Sequence, residues 1–209
     1  MTIVLALGIA RPAIAQCDHA LKIDTQVVAE RDQVALATDF RLDQIAGLAN
    51  QAGTIYKSAP LGFYTAQVDD KIQVDVDHGA AGSCLPHIQV QLHLQLIRRR
   101  IEIGQEVAQT PCLYGAVLEH YRKKAAADEA AFAAYADAVA ADLRTTPFAG
   151  MAVRDSGFDD ATKTAVEHWV KSVIDQRAPP FHAARAAAQR NVDSPAEQHR
   201  LAQACSRDA

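Results

Sequence analysis

The sequence lacks a hydrophobic run long enough to cross a membrane, and it lacks an excess of positive charge. Its N-terminal apolar stretch, residues 3–10, stops at Arg11-Pro12, whereas a spanning helix needs about 20 apolar residues. The formal net charge is −4 at pH 7, and binding to a phosphate backbone calls for a basic surface. We therefore expect neither a stable membrane anchor nor a nucleic-acid partner.

Several common catalytic motifs are also missing. The sequence has no G-x-S-x-G nucleophile turn and no glycine-rich phosphate-binding loop. No two of its four cysteines stand at the C-x-x-C spacing of structural zinc sites. An even cysteine number in an exported protein instead favours two disulfides. We predict Cys84–Cys112, which would close a compact strand and helix unit, and Cys17–Cys205, which would tie the two chain ends.

The N-terminus has the pattern of an export signal. Residues 1–15 combine a short apolar run with the small-x-small sequence Ala13-Ile14-Ala15. We expect cleavage after Ala15, so that the mature protein begins at Gln16 and is periplasmic or secreted. Residues 16–209 fall within the usual size of a single domain.

The first half of the chain contains the strand-like patterns. The clearest covers residues 88–96, where five apolar side chains alternate strictly with Gln89, Gln91, His93 and Gln95. Residues 72–76 alternate in the same way, residues 54–68 do so loosely, and residues 101–107 suggest a further strand after Arg98-Arg99-Arg100. Residues 18–50 are only weakly periodic and predict one helix at most. We expect the apolar side of residues 88–96 to face a helix.

The second half has helical periodicity. Apolar residues recur at helical spacing over 113–144, 159–175 and 181–204. Thr146-Pro147 should end the first helix, Pro179-Pro180 should separate the second from the third, and Ser194-Pro195 should interrupt the third. Strands followed by helices indicate an α+β fold. We predict a small antiparallel meander packed against the long helix, followed by a C-terminal helical region.

One segment of the long helix contains a degenerate metal-binding pattern. Residues 112–128 include Cys112, the segment His120-Tyr121-Arg122-Lys123-Lys124, and Asp128. This segment resembles exported bacterial zinc-peptidase-like proteins of unknown function, whose helix reads H-E-x-x-H-x-x-x-D after a cysteine-containing turn. The resemblance covers about residues 70–145, and it implies a zincin-like domain over residues 16–209.

The departures from that pattern determine the functional prediction. Histidines four residues apart can bind one zinc ion, and the glutamate after the first acts as general base. Here His120 retains the first ligand position, but Tyr121 replaces the base and Lys124 replaces the second histidine, while Asp128 is retained. We therefore predict a vestigial site with no catalytic residue and no bound metal, in which Lys124 pairs with Asp128.

Three functional hypotheses follow. The first is an exported, non-catalytic zinc-peptidase-like protein with a binding or structural role and an unknown partner. The second is a metal-dependent hydrolase with substituted ligands, in which His120, Asp128 and a single histidine among His78, His87 and His93 hold zinc. The third is a helical interaction module, in which residues 113–144 and 181–204 bind a protein partner. Without the resemblance, a lone histidine and a lysine on a helix are ordinary surface or packing residues.

Overall fold

In the part of the chain that the structure describes, the protein has an α+β fold in which a four-stranded sheet packs against two long helices. We analysed a computed structural model, which describes residues 22–51, 60–77, 87–148 and 158–205. The strands are β1 (Lys22–Arg31), β2 (Ala35–Ala37), β3 (Gly62–Asp77) and β4 (His87–Ile103). The helices are α1 (Leu42–Gln51), α2 (Gln105–Ala108), α3 (Pro111–Thr145), α4 (Phe158–Val192) and α5 (Pro195–Ala202).

The predicted antiparallel meander is wrong, because the sheet contains parallel strand pairs. β1 and β2 both run parallel to β4, and they pair with successive parts of it on the same side. β3 pairs with β4 in the antiparallel direction along its other side. Parallel neighbours need a long connection, and here α1 and β3 lie between β2 and β4 in the sequence. The prediction failed because charged residues interrupt the alternating pattern of β1. The antiparallel pair of β3 and β4 was therefore the part of the sheet with a clear pattern in the sequence.

The strand β4 is continuous where the sequence suggested two separate strands. The register with β3 shifts where Thr65 pairs with Arg100 and Gln67 pairs with Ile97. Two residues of β4 therefore face the single residue Ala66, and one of the two, Arg98, has a φ of 52°. Such a bulge moves later side chains to the opposite sheet face. Arg99 consequently points inward and is buried.

The main core lies between the sheet and the helices α3 and α4. The apolar side of β4 packs against α3, as predicted, and it forms one buried cluster with both helices. The predicted long helix is also confirmed, with Pro111 in its first turn and Thr145 at its end. Proline suits the first turn, because its missing N–H has no partner there in any helix. The buried members from β4 are Ile88, Val90, Leu92, Leu94 and Leu96.

The C-terminal helices divide differently from the prediction. α4 continues through Pro179 and Pro180, although the sequence predicts that these prolines separate two helices. Packing against α3 holds both halves in line, since Phe181 stacks on Tyr135 with ring centroids 4.6 Å apart. The predicted interruption near Ser194 is confirmed, because the side chain of Ser194 accepts a hydrogen bond from the first turn of α5.

Candidate functional site

The residues of the degenerate motif lie in one buried row on α3. His120, Lys124 and Asp128 are four residues apart, so they share a helical face. Their exposed fractions are only 6%, 8% and 0%. This face is directed at the last part of α4 and at the segment that leads into α5. The sequence therefore identified residues that share an environment, but the groups around them come from a distant part of the chain.

Asp128 is bound by an arginine from α4. The guanidinium of Arg185 donates to both carboxylate oxygens of Asp128, including a 2.9 Å bond from Nη2 to Oδ2. Tyr64 of β3 donates a third hydrogen bond at 3.0 Å. Burial, assisted by Asp128 and opposed by the hydrogen bond from Arg99, raises the pKa of Tyr64 to about 12. Tyr64 therefore remains a protonated donor at physiological pH.

Lys124 does not form the predicted pair with Asp128. Its ammonium lies 2.8 Å from the carboxylate of Asp193, which follows the end of α4. Gln189 supports the same contact between helices by donating to the carbonyl oxygen of Lys124 at 2.9 Å. The prediction failed because a local i, i+4 pair was assumed, whereas each charged group on this face has a tertiary partner.

His120 lies between two carboxylates. Its Nε2 is 3.2 Å from Asp193 and its Nδ1 is 3.3 Å from Glu197. Burial acts to raise the pKa of Asp193, but hydrogen bonds from His120 and Lys124 outweigh it and the pKa lies below its usual range. Because the two carboxylates are on opposite edges of the imidazole ring, they do not converge on one nitrogen. The two contacts of His120 therefore join α3 to Asp193, which precedes α5, and to Glu197, which lies within α5.

Tyr121, at the position where the resemblance would place a general base, serves in packing. Its hydroxyl donates to the carbonyl oxygen of Gly62 at the start of β3. Gly62 has no side chain to obstruct this approach: a Cβ atom there would lie 2.9 Å from the Tyr121 ring and 2.3 Å from the Glu102 carbonyl oxygen. Tyr121 also contacts the edge of His120, with ring centroids 5.0 Å apart. A tyrosine at this position thus fixes α3 to the sheet.

An ion-pair network fastens α5 to the first turns of α3. Glu197 accepts hydrogen bonds from Arg200 at 2.6 and 2.9 Å, and from Lys123 at 3.1 Å. Arg200, with Lys123 also contributing, lowers the pKa of Glu197 to about 2 despite its partial burial. Arg200 also reaches Glu119 at 3.1 Å and the carbonyl oxygen of Ala116. These contacts are polar, and α5 has no buried residue.

A disulfide reinforces the same attachment and corrects the predicted pairing. Cys112 in the first turn of α3 bonds to Cys205, with their Cα atoms 5.5 Å apart. This bond replaces both predicted disulfides, Cys84–Cys112 and Cys17–Cys205. The sequence could not distinguish among three pairings, because the folding of α5 back onto α3 has no local signature. Cys17 and Cys84 lie outside the described residues.

A second network, centred on the buried Arg99, has no counterpart among the residues predicted from the sequence. Arg99 donates to Glu129 of α3, to Tyr64 at 3.4 Å, and to the carbonyl oxygen of Asp32 at 2.8 Å. Tyr64 connects this network to Asp128. The arginine triplet was visible in the sequence, but the inward direction of Arg99 depends on the bulge in β4. Strict alternation would have assigned Arg99 to the opposite face.

The strand histidines do not complete the proposed ligand set. His87 and His93 lie on the side of β4 opposite to the buried core, away from α3. His87 contacts Asp24 of β1 at 2.7 Å. His78 lies outside the described residues. In the parts of the chain that the structure describes, no group of three or more His, Cys, Asp or Glu residues could hold a metal ion.

Comparisons with known proteins give no family for this chain. No protein family, curated protein or solved structure matches this chain. Among the described helices, none is long and apolar enough to cross a membrane. In the site itself, Arg185 and Lys124 supply positive charge beside Asp128 and Asp193.

Proposed function

We propose that this chain is an exported, non-catalytic zinc-peptidase-like protein with a binding or structural role. The observation that carries the proposal is the pairing of Asp128 with Arg185. A catalytic zinc site needs about three protein ligands and one open coordination position. Asp128 already receives hydrogen bonds on both oxygens, and the guanidinium would repel a cation.

Lys124 adds a second argument against metal chemistry. Its ammonium is at the second histidine position and is held by Asp193 at 2.8 Å. A cation bound to His120 would therefore be repelled by Lys124 and by Arg185. The groups on this face neutralise one another within the protein, which avoids the large cost of an unpaired buried charge.

The disulfide supports the export part of the proposal. Disulfides persist in the periplasm and outside the cell, and they are rare in reducing compartments. Cys112–Cys205 joins two distant parts of the fold. Periplasmic or secreted localisation therefore remains our proposal, and fractionation of cells that express the full chain would test it.

The helical interaction module is less well supported. The apolar residues of α3 and α4, including Phe132, Val139, Val166 and Phe181, pack in the core of the protein itself. These stripes are therefore not available to a partner helix in the folded chain.

Metal analysis distinguishes the non-catalytic proposal from the hydrolase alternative. The full chain would be purified without chelators, and its zinc content and activity on casein would be measured beside His120→Ala and His93→Ala variants. We expect far less than one zinc per chain and no proteolysis in all three. About one zinc per chain, lost in His120→Ala but retained in His93→Ala, would establish the hydrolase alternative instead.

A further inference from the structure

A small groove lies between β2 and α3, away from the row of His120, Lys124 and Asp128. Its volume is about 260 Å³. This is below the usual range of pockets that enclose a whole small-molecule ligand, about 300–1,000 Å³, and it suits a single side chain. Leu118, Arg122, Ala125 and Glu129 lie on a different side of α3 from the buried row, as helical spacing requires. The sheet contributes Val34, Leu36 and Ile101.

The groove adjoins a strand edge. Among the described residues, β2 forms a ladder with β4 and with no other strand. An edge strand presents backbone N–H and C=O groups that another extended chain can bind. Leu36 of β2 is 45% exposed, and Leu48 is the other exposed large apolar residue in the part of the chain that the structure describes. An exposed apolar side chain beside a strand edge that no other described strand occupies is the combination that β-strand addition uses.

The charges of the groove select the chemistry of its ligand. Glu129 is already paired with Arg99 and lies 3.8 Å from Arg31. Arg122 is exposed and has no ion pair or hydrogen bond with the other described residues. The groove therefore offers one available guanidinium, which favours a carboxylate.

We propose that this groove binds an extended peptide segment of a partner protein. The segment adds a strand beside β2, places an apolar side chain against Leu36 and Leu118, and directs a carboxylate to Arg122. This inference goes beyond the proposed function, because it names a binding surface and the chemistry of its partner. It is also independent of the metal question, since the groove is on another side of α3.

Charge reversal provides the test. Two fluorescein-labelled, capped peptides of alternating threonine and leucine would be titrated into the full chain, one with glutamate at each end and the other with lysine. We expect saturable binding of the glutamate peptide, weakened at least tenfold by Arg122→Glu and by Leu36→Lys. Arg122→Glu should in turn prefer the lysine peptide. Arg144→Glu, at an exposed arginine near the end of α3, is the matched control and should bind like the wild type.

Two outcomes would overturn the inference. The first is the absence of saturable binding to the wild type, or binding that Arg122→Glu and Leu36→Lys leave unchanged while circular dichroism shows that both variants are folded. The second is a dimer in light scattering that Leu36→Lys dissociates, because the edge would then pair with a second copy of the chain. Neither outcome affects the zinc measurement, so failure of this inference and failure of the proposed function are distinguishable.

Discussion

Arg185 of α4 binds both carboxylate oxygens of Asp128, so a guanidinium neutralises the one acidic residue that the degenerate motif retains. Asp128 has no exposed surface, whereas the side chain of Arg185 is 23% exposed. Loss of the arginine would leave a buried carboxylate with only Tyr64 as a donor. Removal of either partner alone should therefore weaken the contact between α3 and α4.

The first prediction concerns this pair. Arg185→Ala should lower the free energy of unfolding by about 3–5 kcal/mol, because it leaves a buried charge without its partner. Arg190→Ala, at an exposed arginine later in α4, should change it by no more than about 0.5 kcal/mol. Urea unfolding would measure both. Replacing both partners, as in Asp128→Leu with Arg185→Leu, should recover much of the loss, since no buried charge remains. Equal effects of the two alanine variants would contradict the pairing.

The second prediction concerns the disulfide. Cys112 and Cys205 are separated by 93 positions, and the loop-entropy model gives about 4–5 kcal/mol for a loop of this length. Cys112→Ser with Cys205→Ser should therefore lower stability by an amount approaching that value. Because α5 has no buried residue, its amide hydrogens should exchange much faster in the variant. The amide hydrogens of α4 near Val170 should exchange only through global unfolding, so their protection should fall no further than the global stability does.

Non-reducing peptide mapping provides the control for the disulfide. It should recover Cys112 linked to Cys205, which leaves Cys17 and Cys84 only each other as partners within the chain. A fragment that links Cys84 to Cys112 would contradict the pairing in the structure and restore the one predicted from the sequence.

Local patterns made part of the fold predictable from the sequence. The strict alternation of residues 88–96 and the helical spacing of α3 were strong enough to give both elements and the buried side of the strand. The parallel pairing of β1 with β4 was missed, because strand direction depends on the whole topology. The bulge at Arg98 was missed as well, because three consecutive arginines give no signal for an additional residue on one strand.

The candidate site was predictable only on its own helix. The spacing of four residues places His120, Lys124 and Asp128 on one face of α3, whereas the hydroxyl of Tyr121 bonds to Gly62 on the sheet. Their partners Arg185, Asp193 and Glu197 are 57–77 positions away along the chain. No periodicity of the C-terminal residues indicates which helix they will meet, so the prediction assigned Lys124 the nearest acidic residue.

The third prediction uses the depressed pKa of Glu197. The hydrogen bond and charge of Arg200 lower it from 4.5 to about 2. A carboxylate with a depressed pKa contributes stability above its unfolded pKa and loses it as the pH falls through the folded value. The stability difference between wild type and Glu197→Gln should therefore shrink as the pH falls from 4.5 to about 2.

Urea unfolding at several pH values would test this dependence. Asp137→Asn replaces an exposed carboxylate of α3, and it should differ from wild type by no more than about 0.5 kcal/mol throughout. A difference for Glu197→Gln that is independent of pH over the acidic range would mean that Arg200 and Lys123 do not hold the carboxylate as the structure indicates.

The last prediction is that one substitution can create a zinc site on α3. Lys124→His removes the ammonium and places a second histidine four residues after His120, beside Asp193, whose Oδ1 is already 3.2 Å from His120 Nε2. Two imidazoles and a carboxylate are a sufficient ligand set for zinc. Asp128 is a less suitable third ligand, because Arg185 holds it. Calorimetric titration with zinc should show one site per chain in Lys124→His and none in the wild type.

The matched control identifies the third ligand. Lys124→His with Asp193→Asn should bind zinc at least about tenfold more weakly than Lys124→His alone. Loss of a group that only supports a metal ligand already weakens binding by about tenfold or more, and Asp193 is proposed as a ligand itself. Affinity should fall as the pH drops through about 6.5, because histidines must be neutral to coordinate. The contrary result, in the Lys124→His variant, is that Asp193→Asn leaves zinc binding unchanged while Asp128→Asn abolishes it. That result would mean that Asp128 binds the metal and that Arg185 has moved away from it. The charge pairing from which the non-catalytic role was inferred would then be too weak to support it.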